Sequence, residues 1–147
     1  MMWIKLAAMT LLSFVAMYFL MYSMVDTAGN IHLSVNQIWM AGSMAAAMVG
    51  IELLVMGEMY KNRNIRFALV GLSVLMTVVF VLFTRYQTAI DDKDFLRSMI
   101  PHHSGAILMC SNPKLGDPEV KTLCGEIIKG QQQEIDQMEA IKARLDR

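Results

Sequence analysis

The chain has 147 residues, and its 13 Lys or Arg balance 13 Asp or Glu. That length suits one ordinary domain, but a hydrophobic fraction of 55% is high for a water-exposed one. Zero net charge and no basic cluster exclude a nucleic-acid binder. Charge is also unevenly placed. From Arg85 onward there are nine Lys or Arg and ten Asp or Glu, whereas residues 1–84 are nearly uncharged. This predicts an all-α protein in two parts, a membrane region over 1–84 and a water-exposed helical region over 85–147.

Three apolar stretches, at about 3–24, 38–59 and 67–84, approach the roughly 20 residues that a transmembrane helix needs. The third is short, but Arg66 and Arg85 at its ends can snorkel. The first is too long for the apolar part of a signal peptide and lacks a clean small-residue cleavage site, so it reads as a retained anchor. The loop over 25–37 has no Lys or Arg, whereas the next loop holds Lys61, Arg63 and Arg66, and Lys5 opens the first helix. The positive-inside rule then predicts a cytoplasmic N-terminus and an exported C-terminal part. In a bacterial inner membrane that part is periplasmic.

The second apolar stretch carries Met40, Met44, Met48, Glu52 and Met56 at four-residue spacing. An acid within a membrane helix is a functional candidate, and a thioether-lined path would suit a soft ion. The plainer reading is packing, with Glu52 bonded to a neighbouring helix. Ala41, Gly42, Ala45, Ala46, Val49 and Gly50 form an adjacent small-residue face suited to close helix contact.

From Asp91 the pattern turns amphipathic. Phe95, Met99, His103, Ala106 and Cys110 recur on one helical face. Pro101 interrupts one backbone hydrogen bond and predicts a kink. After a break at 111–116, Asp117-Pro118-Glu119 reads as a helix start. The following helix has a stripe of Val120, Cys124, Ile127, Gln131, Ile135, Met138 and Leu145. Folding the two helices about Asp117 sets Cys110 against Cys124, His103 against Gln131, and Met99 against Ile135. A hairpin of this size buries little core alone, so it is expected to pair with a second copy into a four-helix bundle. Packing on the membrane helices is the competing arrangement.

The chain has three histidines, and two are adjacent in Met99-Ile100-Pro101-His102-His103. Imidazole and thioether are ligands for Cu(I) and its analogue Ag(I), so His102, His103 and the nearby methionines are metal-ligand candidates. The plainer alternatives are a core His103 bonded to Gln131, a solvated His102, and methionines that fill gaps. Glu134 is either an acceptor that orients a histidine or a solvated flank. For Cys110 and Cys124, a disulfide suits an oxidising compartment. Soft-metal ligation and small core residues are the alternatives.

The run Asp94-Phe95, Met99 to His103, Ala106-Ile107, Met109, then Ile127-Ile128, Gln131, Glu134-Ile135 and Met138 resembles the bacterial family of domain of unknown function 305 over about residues 91–145. That family includes CopM-like periplasmic proteins. The resemblance implies a ferritin-like helical bundle that binds Cu(I) or Ag(I), with Met99, His102, His103, Met109 and Met138 as ligands. It also implies a role in copper sequestration, hand-over or resistance. Two features depart from the family pattern: the three membrane helices, and cysteines where alanine is common. A second expectation is a metal-free structural or interaction subunit of a membrane complex. An enzyme ranks last, because a di-iron bundle needs inward carboxylates and Glu-x-x-His pairs, and no Glu-x-x-His occurs. Metal ion, membrane lipid and a second copy of the chain are the expected partners.

Overall fold

A computed structural model describes residues 2–147. Among the described residues it contains five α-helices and no strand. They are α1 (Met2–Leu20), α2 (Val35–Val55), α3 (Arg63–Arg85), α4 (Asp92–Cys110) and α5 (Pro118–Leu145). The chain divides into two compact units. One comprises residues 2–21 and 36–89, the other residues 22–35 and 90–147. The segment 22–35, grouped with the membrane region from sequence, thus packs with α4 and α5 instead.

Three helices are long and apolar enough to cross a membrane: α1 with its 3₁₀ extension to Met24, whose last three residues belong to the second unit, then α2 and α3. Their outward apolar surfaces, such as Ile4, Leu12, Val55 and Val74, are exposed. That pattern fits lipid as solvent better than water. Aromatic residues gather at both ends. Trp3 stacks obliquely on Tyr60 with centroids 5.1 Å apart. At the other end Trp39 meets Phe80 and Phe83, and its Nε1 donates to Thr88 O at 3.0 Å. These pairings make α1, α2 and α3 an up-down-up series with amphipathic rings at both boundaries.

The small-residue face of α2 behaves as its sequence predicts. Ala41, Gly42, Ala45 and Gly50 are all buried. A Cβ on Gly50 would lie 2.5 Å from Ser73 Oγ of α3, so a larger residue there would force the Ser73 hydroxyl to move. A small core of Leu6, Leu53 and Tyr60 closes one end of the unit. The methionine face is different: Met40, Met44 and Met56 are exposed. Glu52 is bonded not to a neighbouring helix but to Tyr60, whose hydroxyl donates to Oε1 at 3.0 Å. Burial and this carboxylate raise the Tyr60 hydroxyl pKa above the usual phenol value.

The second unit is the predicted helical hairpin with an added strap. Asp91 caps α4 by accepting from Asp94 N. Asp117 caps α5 by accepting from Glu119 N and Val120 N, with Pro118 in the first turn. Helix α4 continues unbroken through Pro101. The core joins Leu96, Ile100 and Ile107 of α4 to Ile135 and Met138 of α5. The inward face of α4 is therefore turned by about one residue from the predicted stripe. Phe95, on that stripe, is 49% exposed, whereas Ile100 and Ser104 are fully buried. The cause is a second contact, because residues 22–35 cover the Ser104–Gly105 side of α4.

Candidate functional site

Three contacts hold the strap to the hairpin. Buried Ser104 Oγ accepts from Asp26 N at 2.9 Å and from Asn30 Nδ2 at 3.1 Å. Gly105 leaves room for the chain at Met24, since a Cβ there would stand 3.3 Å from Met24 O. His32, held by Tyr22 donating to its carbonyl at 2.7 Å, places Nε2 at 2.5 Å from Glu139 Oε1 of α5. Sequence reasoning missed this arrangement. The available signals were a lone histidine in a loop without Lys or Arg and a Ser-Gly pair on a helix that needed a close neighbour.

The hairpin is closed at both ends. Cys110 and Cys124 form a disulfide with Cα atoms 5.0 Å apart, which removes both cysteines from the candidate metal ligands and from the free core residues. At the open end Lys93 Nζ of α4 lies 3.1 Å from Asp146 Oδ1, beyond α5. The Lys93 hydrogen bond and the cations Lys93, Lys142 and Arg97 hold the Asp146 carboxyl below its ordinary pKa, against a smaller desolvation effect.

Between these ends lie the two histidines. His103 is mostly buried, and its Nδ1 lies 2.8 Å from Met99 O. A carbonyl only accepts, so Nδ1 carries a proton and donates. Nε2 faces Glu134 Oε2 at 2.8 Å, and an ionised carboxylate also only accepts. Both ring nitrogens thus face an acceptor within hydrogen-bond distance. The partner is Glu134, one turn beyond the Gln131 expected from the hairpin register. Gln131 Oε1 is instead buried without a hydrogen bond. His102 is exposed, and its ring centroid is 5.9 Å from that of His103.

The methionine candidates occupy different surroundings. Met138 belongs to the buried core, with Met99 packed against it. Met109 is 57% exposed. Among the described residues no group of three or more His, Cys, Asp or Glu is arranged to hold a metal ion. What the geometry does supply is a pair of neighbouring imidazoles, one with its tautomer fixed by a backbone carbonyl.

The family model for "Domain of unknown function (DUF305)" matches residues 83–142, which span α4, most of α5 and the disulfide. The chain is also 32% identical over 136 residues to "Uncharacterized protein L153" of Acanthamoeba polyphaga mimivirus, covering 90% of this chain and 88% of that protein. This chain belongs to the DUF305 family. The likeness to the viral relative reaches beyond the family domain into the membrane-type helices of this DUF305 protein. No solved structure matches the chain.

Proposed function

We propose that this DUF305 protein is a membrane-anchored binder of Cu(I) or Ag(I), which presents its hairpin on the exported side of the membrane for sequestration or hand-over of the ion. The observation that carries this reading is the His102–His103 pair. With metal–nitrogen bonds of about 2.0 Å, two imidazoles on one ion place their centroids on the order of 6 Å apart, close to the 5.9 Å found. The Nδ1–H bond to Met99 O leaves Nε2 as the nitrogen for metal, and backbone anchoring of the other nitrogen is the usual device for orienting such a ligand. The ion must then displace exposed Glu134. Met109 is accessible as a thioether donor, whereas Met99 and Met138 serve the core beside the site.

Three observations support the exported location. A disulfide persists in oxidising compartments. The loop with Lys61, Arg63 and Arg66 favours the cytoplasmic side. The strap, from the opposite loop without Lys or Arg, packs with the hairpin, so both belong on the same face of the membrane. In a bacterium that face is the periplasmic side of the inner membrane. Leu108, Met109, Val120 and Leu123 leave apolar surface near the disulfide, which favours a second copy and a four-helix bundle.

The test is anaerobic Cu(I) titration of the detergent-solubilised protein against a chromophoric chelator. Tight binding that is lost in the His102→Ala/His103→Ala double variant is the expected result. Unchanged affinity in that variant sinks the proposal. One observation favours a second reading, a metal-free interaction subunit: both nitrogens of His103 already have protein partners. Stoichiometric co-purification with another membrane protein, and no competition with the chelator, is the result it requires.

A further inference from the structure

The first unit has a groove with a volume of about 640 Å³, walled by α1, α2 and α3 and almost wholly apolar. On α3 it is lined by Leu69, Ser73, Met76 and Phe80. Arg66 lies one turn earlier on the same helical face and lines a second, polar pocket of about 420 Å³ with residues 54–59. The Arg66 guanidinium lies so close to Gly57 that any Cβ there would collide with it. It also stands over the Phe67 ring at 4.9 Å. Its Nε is buried and has no hydrogen-bond partner. A buried, unpaired guanidinium donor at a membrane boundary is costly unless an anion completes it.

We propose that this unit binds one glycerophospholipid, with an acyl chain along the groove and the headgroup phosphate on Arg66. A lipid presents these two chemistries in this order, an apolar tail joined to a phosphate that suits the guanidinium fork. A helix from a second copy would fill the groove but leave Arg66 Nε unpaired. Exposed Glu58 lines the same polar pocket. Its carboxylate opposes a purely anionic headgroup and selects one that also carries an ammonium, as phosphatidylethanolamine does. The inference rests on the membrane-spanning part of the proposed function and uses none of its metal chemistry.

The experiment is native mass spectrometry of the full chain released from detergent micelles, with phosphatidylethanolamine, phosphatidylglycerol or inorganic phosphate added. One retained phosphatidylethanolamine per chain is expected, weakened roughly tenfold or more by Arg66→Gln as a charged hydrogen bond is lost. Arg66→Lys restores part of the binding, and Glu58→Gln abolishes the preference over phosphatidylglycerol. Ala46→Leu narrows the groove without touching Arg66 and lowers lipid retention too. Three results overturn the inference: lipid binding unchanged in Arg66→Gln, retention of inorganic phosphate alone, or a lipid-free dimer occupying the groove. Carbonate extraction of the same protein separates the possible failures. Release from membranes removes the spanning reading itself, whereas firm retention without bound lipid removes only this site.

Discussion

His103 of α4 and Glu134 of α5 meet at 2.8 Å, with 12% of the histidine side chain and 57% of the glutamate side chain exposed. The contact joins the two helices midway along the hairpin and occupies the nitrogen that a metal ion would need. Its two uses compete. Replacing Glu134 by Gln or Ala is therefore expected to leave Cu(I) affinity equal or higher, never lower, in chelator competition. Because the glutamate is mostly in water, the stability cost is expected to stay below about 1 kcal/mol. A fall in affinity would instead make Glu134 a ligand.

Cys110–Cys124 closes the loop end of the hairpin across a separation of 14 residues. In the chain-entropy account, a loop of this size gives about 3 kcal/mol. Reduction, or the Cys110→Ser/Cys124→Ser double variant, is expected to lower the thermal transition of the hairpin in detergent by several degrees. Hydrogen exchange should locate the loss at the ends of α4 and α5 that flank the loop, with α1–α3 unchanged.

Ser104 has no exposed surface and receives two hydrogen bonds from the strap. Ser104→Ala keeps the helix but leaves Asp26 N and Asn30 Nδ2 without their acceptor. The expected cost is on the order of 2 kcal/mol, read as faster hydrogen exchange across residues 22–35. If exchange there is unaltered, Ser104 does not fasten the strap.

Lys93–Asp146 ties the open end, and here pH supplies the test. The Asp146 pKa is lowered in the folded protein. The pair therefore stabilises the hairpin above the ordinary carboxylate pKa and loses that contribution as pH falls through the lowered folded value. Acid titration of hairpin stability should show this loss, and Lys93→Met should remove most of it. Both groups are partly exposed, so added salt should weaken the effect as well.

Much of the architecture was legible because it depends on local pattern. Three apolar stretches of sufficient length announced three helices suited to a membrane. Their ends moved by a few residues, since Gly57 and the Asn62 cap of α3, not hydropathy, decide where α2 stops and α3 begins. Asp117-Pro118 fixed the start of α5, and equal spacing from that turn paired Cys110 with Cys124. Such features depend on a few neighbouring residues and one helical period.

The tertiary structure decided what no period encodes. The strap over 22–35 joins the hairpin through Asp26 and Asn30 on Ser104 and through His32 on Glu139, pairs separated by 78, 74 and 107 residues in sequence. That contact turns α4, so Leu96 and Ile100 face the core while Phe95 does not. It also recruits a histidine that the motif-bearing segment lacks. The choice of Glu134 over Gln131 by His103 likewise depends on side-chain reach across two packed helices. Binary pattern can place a residue on a face, but only packing decides which of two neighbours on the opposite helix it touches.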